Sequence, residues 1–503
     1  MISFNEIPSN IRVPLTYIEI DNSAAVTGTP PTLHKTLLLG LRNKNGQVLA
    51  GEPFRITSQS AAEVAFGRGS MLAEMATHFI KANAFADLWA LAIDDDNNGV
   101  KAVGEIQPMG SVAQAGQIAL MIAGQSVRVT VRAGDSVAVM ASKISEAINS
   151  NDRLPVTATV EPLHTNGSPV PDKINTHTVK LAAKWSGETG NDIDVRVNYY
   201  TGELLPSGID VIITPMGKAT GNPDLSNAIT AFGDTWWNYV VNPFTDTLNL
   251  NLLRDELKDR WGALKMIDGI CWMAKRGTLA QASSFGLSRN DYLFSTMATG
   301  MAPQPPYLWA ATLAAVAVGS LSIDPARPLQ TLQLPSILPP SLGDRWALNE
   351  RNLLLYDGVS TFTVDTGSNV QIERAITMYR ENSFGDPDPS YLDVETIATL
   401  SYLRYATRVR ITQKFPRHKL ADDGIRVSPG QAIVTPSVIK AELLALFTEQ
   451  EFAGLVEDFE SFKKTLLVER DPNDRNRVNV RSNPDLVNQF RIYAHAIQFI
   501  LWG

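Results

Sequence analysis

Thr36-Leu-Leu-Leu-Gly40 and Leu88-Trp-Ala-Leu-Ala-Ile93 are two short apolar runs, and the stretch between them, Ser70 to Ala84, has the apolar spacing of a helix. Runs of this length suit buried strands, and strand, helix, strand in succession predicts an α/β core. Beyond Ile93 the pattern changes. Residues 97 to about 210 hold short β-like runs such as Gln125-Ser-Val-Arg-Val-Thr-Val-Arg132, one helical stretch near Val137 to Ile148, and many Gly, Pro, Thr and Asn. This reads as a β-rich domain inserted into the first.

The α/β alternation resumes at Ile209-Asp-Val-Ile-Ile213 and continues through a helical stretch at Leu248 to Trp261 and an Ala-rich helix at 307 to 320. The segment Tyr307 to Ile323 is the most apolar of the chain. It is short for a bilayer and lies between Pro306 and Pro325, so a buried helix is expected and no membrane insertion. A Pro-rich connector from Asp324 to Pro340 leads to a strand pair around Asp357-Gly358, and Gly385-Asp-Pro-Asp-Pro389 announces the last domain. That domain is expected to contain helices near 391 to 410 and 437 to 464. It closes on Asn476-Arg-Val-Asn-Val-Arg481 and on the run from Phe490 to Trp502. The divisions are an N-terminal arm at 1–20, an α/β core at 21–96 and 211–385, the inserted β-rich domain at 97–210, and an α+β C-terminal domain at 386–503.

The arm is set apart by its own pattern. In Asn-Ile-Arg-Val-Pro-Leu-Thr-Tyr-Ile-Glu-Ile (10–20), Ile11, Val13, Leu15 and Tyr17 alternate onto one side, while Pro14 lacks a ladder donor. The loop that follows, from Asp21 through Pro30-Pro31, offers no return strand, so the partner is distant or on another molecule. At the other end, Val478, Val480, Ile492 and Phe499 are candidates for a C-terminal strand. The spacing of Phe490, Tyr493 or Ala494, Ile497 and Leu501 also suits a helix.

Composition narrows the class of function. The chain has 503 residues, 44% hydrophobic and 19% charged, with a formal charge of −8 and a pI near 5.4. At roughly 150 residues per domain this is about three domains' worth of foldable sequence. No dense Lys/Arg run exists to grip a phosphate backbone, which argues against nucleic acid as a partner. The single Cys271 cannot form an internal disulfide and is expected to be an inert, buried thiol. Met1 to Pro8 carries no basic start followed by an apolar stretch, so no signal peptide is expected and the protein is made in the cytosol.

Motifs for chemistry are sparse. Asp94-Asp-Asp96-Asn-Asn98-Gly99, ending at Glu105, has the oxygen spacing of a calcium loop. However, Lys101 stands where an apolar residue belongs, and the flanks do not read as helices. A polar turn leaving Ile93 is the better reading, and no cofactor or metal is assigned. His34, His78, His164, His177, His418 and His495 are scattered singly, without the pairing of a zinc helix. No Gly-x-Ser-x-Gly and no Walker A sequence occurs, so catalytic residues are not assigned, and any mechanical work must draw on stored conformational energy. The stretch Val438 to Lys464 sets Leu443, Leu446, Phe447, Phe452 and Leu455 against Glu449, Glu451, Glu457, Asp458 and Glu460, a core face against a solvated one. Glu469, Arg470, Asp471, Asp474, Arg475 and Arg477 around Pro472 read as a solvated turn, with interface use as the rival.

Longer strings carry a family likeness. Asp324-Pro-Ala-Arg-Pro-Leu329, Tyr356-Asp-Gly-Val-Ser-Thr-Phe-Thr-Val-Asp365, Lys414-Phe-Pro-Arg-His-Lys-Leu-Ala-Asp-Asp-Gly424 and Val468-Glu-Arg-Asp-Pro-Asn-Asp474 resemble the tail sheath proteins of Mu-like contractile phages. Gly187-Glu-Thr-Gly-Asn-Asp192 and Ala115 to Gly124 do so as well. The resemblance implies a subtilisin-like core without a protease site, an inserted domain facing outward, and a C-terminal domain nearest the tail tube. It implies hexameric rings of this chain stacked around the tube protein, ended by baseplate and tail terminator proteins and assembled in the host cytoplasm. It also implies that the N-terminal arm and a C-terminal strand cross to neighbouring copies, and it makes Glu449, Glu457 and Asp458 candidates for the tube-facing side. The alternatives are the sheath of a phage-derived injection particle or bacteriocin, a subtilisin-type hydrolase, and a passive scaffold.

Overall fold

The computed structural model describes residues 13–14, 16–18, 29–30, 33–162, 164–165, 168–169, 177–426, 428 and 430–501. The chain forms two compact units. The larger comprises residues 33–399 and 489–503, the smaller 1–32 and 400–488.

The larger unit is built on a six-stranded sheet in the order Phe294–Gly300, Ile270–Arg276, Tyr239–Val241, Lys35–Leu41, Asp87–Ile93, Pro53–Arg55. The first five strands run parallel, and only the edge strand Pro53–Arg55 is antiparallel to its neighbour. Leu37, Leu38, Leu39 and Leu41 are all fully buried. A central parallel strand covered on both faces requires this kind of continuous apolar run. Helix Met71–Ala82 starts at Ser70, whose hydroxyl accepts from Ala73 N at 3.2 Å. It packs with helix Pro306–Leu321 against the sheet. The latter helix is apolar on nearly every side and buried on nearly every side, as such a helix must be in water. No helix among the described residues is long and apolar enough to cross a membrane.

Within residues 97–217 lie a four-stranded antiparallel sheet, ordered Ile209–Gly217, Lys101–Gly110, His177–Ser186, Val156–Pro162, and a three-stranded one of Val195–Val197, Gly116–Ile122 and Gln125–Val131. Helix Val137–Asn149 packs against both. The apolar residues of these sheets and of the parallel sheet join in one continuous core.

Four local readings change. Ile209–Ile213, read as the return of the α/β alternation, lies in strand Ile209–Gly217, which pairs antiparallel with Lys101–Gly110. Asp357-Gly358 is the end of a helix, Leu348–Tyr356, and not the turn of a hairpin. Gly358 takes φ 81° there, and Val359 N donates back to Leu354 O at 2.9 Å. The hairpin lies just beyond, Thr361–Val364 with Val370–Arg374, turned by Asp365 to Asn369. The helix of 437 to 464 is two helices, Pro436–Phe452 and Phe459–Thr465. Gly454, at φ 72°, leaves the first, and Asp458, at φ 61°, caps the second by accepting from Ser461 N at 3.1 Å. The bend stacks Phe462 on Phe447, with ring centroids 4.0 Å apart, in the core of the smaller unit. The run from Phe490 forms neither helix nor paired strand.

Close packing beside the Asp357-Gly358 stop makes one glycine indispensable. A Cβ on Gly286, in helix Leu279–Leu287, would sit 2.2 Å from the Asp357 carbonyl oxygen and 2.6 Å from Val359 Cγ2. The first contact is backbone and cannot swing away. Gly286→Ala is expected to cost about 1–3 kcal/mol by overpacking. A guanidinium midpoint equal to that of the wild type would refute this reading of the contact.

Candidate inter-subunit surfaces

The smaller unit ends in a hairpin, Leu467–Arg470 with Val478–Arg481, turned at Asp471, whose Oδ1 accepts from Asn473 N and Asp474 N. The mixed-charge cluster closes partly on itself and partly on Asp422, which pairs with Arg470 at 3.0 Å and Arg475 at 3.1 Å. A two-residue strand, Asp485–Leu486, then pairs with Val456–Glu457, and Val487 N donates to Leu455 O. After that the backbone finds almost no partner. Ile492, Tyr493, Ile497, Phe499, Ile500 and Leu501 all stand in solvent, Ile492 at 81% exposure and Ile500 at 86%. Isolated exposed apolar residues are ordinary, but a sequential run of them marks a surface made for a partner.

The tail has a definite root. Gln330 Nε2 donates to the Phe490 carbonyl at 3.2 Å, and the Arg491 guanidinium reaches Asp393 and Glu395, each at 3.0 Å. At the other end Val13, 59% exposed, and Ile18 are likewise uncovered, and Tyr17 Oη donates to the Val13 carbonyl at 3.3 Å. Val13 and Tyr17 are not in a strand of the single chain. Ile11 and Leu15 lie outside the described residues. Where this end enters the larger unit, His34 Nδ1 hydrogen-bonds Tyr239 Oη at 3.2 Å. Lys35 Nζ lies 5.6 Å and 5.9 Å from the ring centres of Trp89 and Trp237. Burial lowers the His34 pKa, which favours the neutral ring beside Tyr239.

The other candidate residues divide between paired and unpaired settings. Val478 and Val480 sit in the terminal hairpin, opposite Arg470 and Val468. Ile492 and Phe499 lie in the unpaired tail. Glu449 pairs with Arg410, Glu457 is exposed in its two-residue strand, and Asp458 is the cap already described. The three acidic residues therefore have separate local environments, all within the smaller unit.

The calcium-like stretch is a turn between strands. Asp94 pairs with Arg42 at 2.7 Å, the Asp95 carboxylate accepts from Ser186 N at 3.1 Å, Asp96 accepts from Asn98 N, and Glu105 is in strand Lys101–Gly110. Cys271 is buried in the parallel sheet, and burial pushes its thiol well above the usual range. Sequence reading missed both roots. A lone Arg inside an apolar run at 490–493 and the His34-Lys35 pair at a strand entrance were their only signals.

Residues 218–378 match the phage tail sheath protein central domain, and residues 386–500 match the phage tail sheath C-terminal domain. The chain therefore belongs to the phage tail sheath proteins, structural components of contractile phage tails. It is 59% identical over 500 residues, 99% of this chain and 100% of the relative, to the Mu-like prophage FluMu tail sheath protein of Haemophilus influenzae. Among solved structures, a sheath tail protein from Desulfitobacterium hafniense aligns over 94% of this chain and 97% of its own, at 13% identity and a TM-score of 0.49. The anti-feeding prophage helical sheath in its contracted state aligns over 98% and 99%, at 8% identity and a TM-score of 0.44.

Proposed function

We propose that copies of this chain polymerise as stacked hexameric rings around a tail tube and contract to drive that tube through the host envelope for genome ejection. The observation that carries this reading is the pair of rooted, uncovered apolar chain ends. Strand addition supplies backbone hydrogen bonds with little demand on side chains, which suits a lattice of identical copies. The core is read as subtilisin-like and structural, the segment 97–210 as an outward domain, and 386–503 as nearest the tube, with Glu449, Glu457 and Asp458 toward it. Baseplate and terminator proteins bound the polymer, which assembles in the host cytoplasm. Contraction is read as the release of a trapped, extended lattice by rigid-body movement.

Removing residues 1–20 is expected to leave a folded monomer that makes no tubes. Electron micrographs showing tubes of normal length from that protein would end the proposal. Wild-type tubes are expected in two diameters, corresponding to the extended and contracted lattices.

A further inference from the structure

We infer that Arg491 is the root of the C-terminal arm, a positioning residue that locks the tail into a two-carboxylate pocket so that only residues 492–503 reach a second copy of this chain. The inference rests on the arm reading above and adds where the arm begins and what holds it.

The pocket is built at the start of helix Val394–Lys414. Asp393 precedes the helix and Glu395 lies in its first turn. Asp393 accepts from Arg374 Nε and Nη2, both at 3.0 Å, and from Arg491 Nη2 at 3.0 Å. Glu395 accepts from Leu329 N at 2.9 Å through one oxygen and from Arg491 Nη2 at 3.0 Å through the other. Gln330 grips two consecutive tail residues. Its amide donates to the Phe490 carbonyl, and its Oε1 accepts from Arg491 Nη1 at 3.4 Å. Two arginines thus neutralise two carboxylates.

Burial makes the match demanding. The Glu395 side chain is fully buried and that of Arg491 is 13% exposed. Removing one partner of such a pair leaves a charge in low dielectric without its counter-ion. Phe490 and Ile492 on either side are exposed, so the guanidinium does the gripping and the apolar neighbours do not. Beyond it, twelve residues span about 40 Å at roughly 3.3 Å each. The next backbone hydrogen bond upstream is Val487 N to Leu455 O. Losing the root would therefore lengthen the free tail by about four residues, roughly 13 Å, and blur where its apolar side chains arrive.

The test compares full-length wild type, Arg491→Ala, Arg491→Lys, the pair Arg491→Ala with Glu395→Gln, and a chain ending at Arg491. Backbone NMR order parameters of the isolated subunit and electron microscopy of polymerised protein are the readouts. Arg491→Ala is expected to lower the order parameters at Gln489–Ile492 from about 0.85 to below about 0.6 and to give tubes without uniform helical order, with Arg491→Lys between it and wild type. The double variant, which leaves no lone buried carboxylate, should show the same loss of order and covers the case in which the single variant fails to fold. The chain ending at Arg491 should fold and make no tubes. Wild-type order parameters, or wild-type helical order, in the alanine variants would overturn the root. Normal tubes from the truncated chain would overturn the arm reading instead, whatever Arg491 does to the order parameters.

Discussion

Trp309→Ala should lower the unfolding free energy of the larger unit by about 3–5 kcal/mol, the range for deleting a large aromatic side chain from a packed core. Trp309 lies on helix Pro306–Leu321, is fully buried, and sets its ring 4.9 Å from that of Phe362 across to the hairpin. Truncation would leave a cavity walled by a helix and sheet that cannot collapse together. Trp309→Phe should cost much less. The indole Nε1 is buried without a hydrogen-bond partner, so phenylalanine removes a polar group whose desolvation costs about 1–3 kcal/mol while keeping most of the ring. The measurement is guanidinium unfolding followed by tryptophan fluorescence. Eight of the nine tryptophans lie between residues 33 and 399, within the larger unit, so the signal reports chiefly on it. Equal losses for Ala and Phe would contradict the cavity argument.

Glu74→Gln should stabilise the same unit at pH 8 by about 3 kcal/mol and leave it unchanged at pH 4.5. Glu74 is 6% exposed on helix Met71–Ala82, and its Oε1 is buried without a partner. Burial pushes its carboxyl up to about 7, against Lys81 and Arg153, which pull it down. Below 4.5 the group is protonated whether the chain is folded or unfolded. Between 4.5 and 7 the folded state holds a proton that the unfolded state gives up, so this group's contribution falls as pH rises and is gone above 7. One turn along, His78 behaves oppositely. Its Nδ1 faces the Glu74 carbonyl at 3.1 Å, and burial lowers its pKa to about 4, so its neutral ring costs stability as pH falls from 6.5 to 4. Denaturation at pH 4.5, 6 and 8 separates the two. A Glu74→Gln offset that does not change with pH would show that the carboxyl titrates in the fold as it does in the unfolded chain.

Much of this architecture was legible from local pattern, because it depends on which residues exclude water. Leu37 to Leu41, Leu88 to Ile93 and the Ala-rich helix at 307 declared themselves by unbroken apolar character, and their burial is complete or nearly so. What escaped was set by contacts distant in sequence. Helix Leu348–Tyr356 buries only Leu354, too little to impose a helical stripe, and Asp-Gly serves a helix stop as readily as a hairpin. The Arg491 pocket draws on residues 330, 374, 393 and 395, a convergence that no spacing near 491 records. The terminal run keeps a helix-compatible spacing without a helix, since nothing among the described residues covers its apolar side.

The two roots differ in what holds them. Lys35 lies against the faces of Trp89 and Trp237, which carry no titrating group, whereas Arg491 is held by two carboxylates, and burial raises the pKa of one of them, Glu395. Acidification therefore weighs unequally on the two ends, and the C-terminal one slackens first. A chain fastened at one end by aromatic faces and at the other by carboxylates lets go in a fixed sequence as the pH falls, the carboxylate clasp first.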